Sequence, residues 1–130
     1  MFVDASALIA MLLRELEADA LAKRLENADV RLTSAIAVFE TVLALMRVRR
    51  LSRSISEQQV RATLATAEIE VMAVTDEIGR AALDAFERYG KGRGHPAQLN
   101  LGDCFAYGAA RVLALELLYK GNDFAQTDLA

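Results

Sequence analysis

Any fold that buries the opening run Met1-Phe2-Val3 must also accommodate the carboxylate that ends it, Asp4. Three more acids share this predicament. Glu40 stands within Ala35-Ile36-Ala37-Val38-Phe39-Glu40-Thr41-Val42-Leu43, Asp103 precedes Cys104-Phe105-Ala106-Tyr107, and Asp123 follows the apolar run Leu117-Leu118-Tyr119. Burying one unpaired carboxylate costs several kcal/mol, and the escapes are protonation, pairing or a metal ion. Few cations lie beside these four in sequence. A shared site for a hard cation is the economical solution.

The chain has 130 residues, 54% hydrophobic and 25% charged, which suits one globular domain spanning 1–130 with a sizeable core. A net charge of −3 argues against general affinity for nucleic acid but leaves room for a local basic strip. The single cysteine, Cys104, has no internal disulfide partner, which fits a reducing, cytoplasmic setting. The apolar run Ala5 to Leu13 is too short to span a bilayer and lacks the positive flank of a signal peptide, so no membrane role is expected.

Short apolar runs alternate with amphipathic stretches. Strands are expected at Phe2-Val3, Val30–Thr33, Ile69–Val74 and Glu116–Tyr119. Helices are expected over Ala5–Leu13, Glu15–Asn27, Ala35–Arg50 (capped by Thr33 or Ser34), from a Ser56/Gln59 capping box to Glu68, from Thr75 to Tyr89, and from Asn100 or Leu101 to Leu113. Gly90–Pro96 reads as a mobile loop. The alternation implies an α/β fold, three layers with a central parallel sheet of four or five short strands. Ligands of such sheets gather at the carboxyl ends of the strands, where Asp4 and Asp123 fall.

Ile36, Phe39, Leu43 and Met46 have the spacing of a buried stripe, which turns Glu40 toward the core side. Asp103 precedes Ala106, Tyr107 and Ala110 at helical spacing and sits where a helix N-terminus favours negative charge. Each acid also has an ordinary reading: Asp4 as a helix cap, Glu40 as a partner of Arg47, Asp103 as a helix-terminal acid, Asp123 as a turn residue. The remaining acids, such as Glu15, Glu17, Asp19, Glu26, Asp84 and Glu87, read as solvated faces. His95, in the glycine-rich loop, reads as a surface residue. Oxygen donors without a Cys/His set favour Mg²⁺ or Mn²⁺, and phosphoryl chemistry by a positioned water is the matching reaction class.

The chain resembles PIN-domain ribonuclease toxins of the VapC type. The resemblance rests on Met1-Phe2-Val3-Asp4-Ala5-Ser6-Ala7-Leu8, on Ser34–Thr41 around Glu40, on Tyr89-Gly90-Lys91-Gly92 with Leu99-Asn100-Leu101-Gly102-Asp103-Cys104-Phe105-Ala106-Tyr107, and on Leu118–Phe124 with Thr127-Asp128. It implies a PIN-like fold and a metal-dependent endoribonuclease, the toxin of a type II toxin–antitoxin pair. Asp4, Glu40, Asp103 and Asp123 would hold Mg²⁺, with Asp4 and Asp103 as the direct ligands. Ser6 would orient Asp4 or a metal-bound water. It also implies a homodimer and a cognate VapB-like antitoxin. Many PIN domains carry Ser or Thr two residues before the last Asp. Gly121 stands there in this chain, which leaves Asn122 or Asp128 to supply that contact.

Cations for RNA phosphates are sought in Arg47, Arg49, Arg50 and Arg53 after Glu40 and in Lys91 and Arg93 of the loop, with helix-dipole complementarity the alternative for the arginines. Competing readings are a non-catalytic metal-binding module acting through a protein partner and a phosphatase of the haloacid-dehalogenase type. The latter wants a second Asp where Ser6 stands and a lysine such as Lys120. The acidic balance predicts no direct DNA binding.

Overall fold

A computed structural model describes residues 1–130. Four parallel strands, β1 (Phe2–Val3), β2 (Leu32–Ser34), β3 (Glu70–Met72) and β4 (Leu117–Leu118), form one sheet in the order β3-β2-β1-β4. The strands are two or three residues long, yet the register is explicit: Phe2 pairs with both Leu32 and Leu117, and Val3 with Leu118. Alternation across the sheet divides the core in two. Val3 and Leu118 face one cluster with α1 (Ala5–Leu12), α2 (Ala18–Glu26), α3 (Ala35–Arg49) and α4 (Arg53–Thr66). Phe2 and Leu117 face the other, with α5 (Asp76–Tyr89) and α6 (Leu101–Val112). The result is the expected three-layer α/β/α arrangement.

Helix starts follow side-chain chemistry. Asp4, Ser34, Thr75 and Asn100 each accept a backbone N–H as caps of α1, α3, α5 and α6. The expected Ser56/Gln59 box is not the start of α4. Ser52 caps that helix by accepting from Ile55 N. Ser56 lies a turn inside, on the face shared with Val60 and Leu64, and its buried hydroxyl has no partner. The second helical stretch is also shorter than expected, because Glu15 and Glu17 lie outside α2 and hold Lys120 instead.

The buried stripe of α3 is rotated from the expected one. Ala37, Val38, Thr41, Val42, Ala44 and Leu45 are inside, whereas Phe39 is 63% and Leu43 46% exposed. An almost uniformly apolar helix carries little periodic contrast, so spacing alone selects its face poorly. Helices α5 and α6 run antiparallel. Gly108 permits their close approach: a Cβ there would stand 2.8 Å from Ile78 O and 2.9 Å from Ala82 N.

Candidate active site

Asp4 ends β1 and caps α1. It is only 4% exposed, and Ser6 donates to its Oδ2 twice, from the backbone N–H at 3.0 Å and from Oγ at 2.6 Å. Ser6 Oγ in turn accepts from Lys120 N at 3.0 Å, which ties the chain leaving β4 to the same point. Ser6 thus joins the Asp4 carboxylate to the segment after β4. Lys120 Nζ pairs with Glu15 and Glu17, fixing this segment from outside.

Asp103 is both a helix-terminal acid and a member of the cluster. Its Oδ2 accepts from Asn100 N at 3.0 Å while Asn100 Oδ1 accepts from Asp103 N at 2.9 Å, a reciprocal capping box. Glu40 reaches this helix start from α3. Its carboxylate lies over Gly102, so closely that a Cβ on Gly102 would come within 2.6 Å of Glu40 Cδ. Glu40 makes no ion pair, with Arg47 or any other cation. Asp123 lies on the exposed segment after β4, at the head of a 3₁₀ turn, Phe124–Gln126, whose Phe124 is buried against Tyr119 with ring centroids 5.2 Å apart.

The electrostatics tie the four together. Burial raises the Asp4 carboxyl above its usual range, and the charge of Asp123 adds to this against the hydrogen bonds from Ser6 and Ala5. Burial, then Asp4 and Asp103, lift Glu40 to about 7. Burial lifts Asp103 to about 6; the Asn100 N–H opposes this, while the charges of Asp4 and Asp123 reinforce it. Four carboxylates from separate segments thus share one field at the strands' carboxyl edge. They are neighbours rather than a closed ligand set, because no three Asp, Glu, His or Cys side chains are grouped to hold an ion as they stand. The donor chemistry nevertheless fits a hard divalent cation: every candidate atom is a carboxylate oxygen, and Cys104 beside them is a buried thiol pushed up to about 11.

These shifts carry a sign. A carboxyl whose folded pKa is raised binds its proton more tightly when folded, so stability is greatest below its unfolded pKa and is lost as pH rises through the folded value. Metal-free protein is predicted to lose stability as pH climbs from about 4 to about 7, from the ordinary carboxylate range up to the raised values of Asp103 and Glu40. Urea unfolding in chelator at the two ends of that range checks it; equal or rising stability would contradict the clustering.

The other candidates are placed less centrally. Asp128 pairs with Arg111 and Arg88 and accepts from Tyr107 Oη at 2.7 Å, and its carboxyl is lowered although some burial opposes this. It anchors the C-terminal segment to α5 and α6 rather than supplying the contact missing at Gly121. Asn122 is exposed and makes no side-chain hydrogen bond. Arg47 and Arg50 lie at the far end of α3, about two turns beyond Glu40. Arg49 is structural, donating to Leu12 O and Gln59 Oε1, and Arg53 pairs with Glu57. Lys91 lines an apolar groove of about 480 Å³ between α5 and α6 that Asn100 and Leu101 also line, so it flanks the Asp103 helix start. Arg93 lies 5.8 Å from the Phe86 ring centroid. His95 is half-buried rather than superficial. Its Nδ1 accepts from Ala97 N, and its ring meets Tyr89 edge-on at 4.8 Å.

Sequence reasoning missed the closeness of Gly102 to Glu40 and the pairing of Lys120 with Glu15 and Glu17. The signal for Lys120 was its place just after β4; that for Gly102 was a glycine opening a helix whose backbone does not require one.

A family model described as the PIN domain matches residues 1–129. The chain belongs to the PIN-domain family. Among curated PIN-domain relatives, a VapC ribonuclease of Rhizobium meliloti is 44% identical and covers 98% of both chains. Ribonuclease VapC28 of Mycobacterium tuberculosis is 43% identical over 98% of this chain and 93% of its own. Solved structures share the fold: VapC20 of Mycobacterium tuberculosis, described as a toxin cleaving the sarcin-ricin loop, superposes with a TM-score of 0.71 at 20% identity, covering 95% of this chain and 92% of that one. A toxin–antitoxin complex from Klebsiella pneumoniae gives 0.70 at 21%, covering 98% and 92%. This PIN domain has no helix long and apolar enough to cross a membrane.

Proposed function

We propose that this chain is a Mg²⁺- or Mn²⁺-dependent endoribonuclease and the toxin half of a toxin–antitoxin pair. The reading rests on one observation above all: Asp4, Glu40, Asp103 and Asp123, from four segments at the carboxyl edge of the sheet, lie near enough for their charges to act on one another. The names of the VapC relatives support ribonuclease chemistry, and the Klebsiella complex supports an antitoxin partner. Asp4 and Asp103 would be the direct ligands, with Glu40 and Asp123 completing the acidic ring. When bound, such an ion lowers the pKa of a water and offsets charge on the scissile phosphodiester.

The protein's own groups do the rest. Ser6 fixes the Asp4 carboxylate, and the Asn100 box fixes the start of α6. Lys91, which lines the same groove as Asn100 and Leu101, would hold a substrate phosphate. A VapB-like antitoxin, a homodimeric state and a cytoplasmic setting belong to the same proposal. The phosphatase alternative loses ground, since Lys120 is engaged by Glu15 and Glu17 and Ser6 replaces the second Asp.

The test is cleavage of structured RNA by the purified, antitoxin-free chain. Cleavage is expected with Mg²⁺ and with Mn²⁺, and none in chelator. Equal cleavage in chelator would refute the metal assignment, and intact RNA under every condition would refute the nuclease.

A further inference from the structure

Gly102 is a glycine that its own backbone does not demand. It lies in the first turn of α6 without a positive φ, where alanine would favour the helix more. The other glycine of α6, Gly108, is explained by the α5 backbone that a Cβ would strike. At Gly102 the obstructed group is different: the three nearest atoms to an added Cβ all belong to the Glu40 carboxylate. We infer that Gly102 is a positioning residue, whose missing side chain reserves the space that lets Glu40 lie against the start of α6 beside Asp103.

The inference rests on the metal-dependent reading of this site. A methyl group at 102 meets the far end of a flexible side chain rather than backbone, so Glu40 swings away at little cost to the fold. The carboxylate then leaves the ring of acids. Shortening Glu40 by one methylene in the same molecule makes room again.

Calorimetric titration of the purified full chain with Mn²⁺, beside RNA cleavage and thermal unfolding, tests this on Gly102→Ala, Glu40→Asp, the double variant, Asp103→Asn and Gly108→Ala. Gly102→Ala is expected to melt no lower than wild type while losing about 10- to 100-fold in Mn²⁺ affinity and in cleavage, the range typical of groups that position metal ligands. The double variant is expected to recover much of that loss, so that the two substitutions are strongly non-additive. Gly108→Ala is expected to lower the melting temperature instead. Gly102→Ala that binds Mn²⁺ and cleaves as wild type, while Asp103→Asn does neither, would overturn the role of Gly102 and leave the site intact. A double variant no better than Gly102→Ala would overturn it too. A wild-type chain that binds no Mn²⁺ would overturn the metal reading and this inference together.

Discussion

Asp103→Asn is expected to abolish RNA cleavage and at the same time to stabilise the metal-free protein. The first effect follows from the loss of a charged oxygen where a divalent cation would bind. Several kcal/mol of charge stabilisation are supplied by such an ion, so a loss of about a thousandfold in rate is anticipated. The second follows from the field inside the cluster. Asp103 is lifted to about 6, and removing its charge also relieves Glu40, which stands at about 7. After allowing for solvent screening, the gain at neutral pH should be about 1 kcal/mol. The asparagine oxygen can still accept from Asn100 N, so the capping box survives and the fold is not the cause of lost activity. Cleavage assays and urea unfolding in chelator give the two readings. A variant that is inactive and also less stable would point to a structural role for Asp103.

Phe124→Ala is the substitution expected to cost most in stability outside the strands. Phe124 is 2% exposed, packs on Tyr119 and belongs to the core cluster shared with Phe2 and Leu117. Truncating a buried phenylalanine to alanine costs about 3–5 kcal/mol through lost burial and the cavity left behind. The consequence reaches the site because Phe124 adjoins Asp123, which is itself exposed and makes no side-chain hydrogen bond. The anchors of this segment are Phe124, the Ser6 contact to Lys120 N and the Lys120 ion pairs. Freeing Asp123 should therefore depress cleavage even where most molecules remain folded. Denaturant unfolding together with cleavage well below the midpoint checks this. Full activity in a destabilised variant would show that Asp123 does not depend on Phe124 for its position.

Much of the architecture was legible because strand–helix alternation is a local signal. The caps Asp4 and Thr75, and Ser34 as one of two candidates, were readable for the same reason, since a short polar side chain before an apolar run satisfies free N–H groups. Ser56 misled because a serine followed by Gln59 imitates a cap, while its membership of the buried face with Val60 and Leu64 becomes decisive only once α4 is packed. Glu40 was singled out on a stripe that proves to be rotated. It nevertheless reaches the acids, because Gly102 on a distant helix leaves room for it. No periodicity in α3 contains that information. The cations show the same limit: Arg47 follows Glu40 closely in sequence, but helical rise carries it about 10 Å along the axis. Lys91, from another segment, comes to the Asp103 helix start through the turn joined by the Gly90–Leu99 bridge. Asp128, which sequence offered as a supporting acid, is claimed by Arg88, Arg111 and Tyr107, contacts that only tertiary packing creates.

The most direct test of the account is to locate the ion. Crystals of the full chain grown in Mn²⁺, at a concentration that supports cleavage, should be measured at the manganese absorption edge. The account predicts an anomalous peak enclosed by Asp4, Glu40, Asp103 and Asp123, with the carboxylates drawn together around it. A peak elsewhere on the molecule, with these four side chains unchanged, would contradict it.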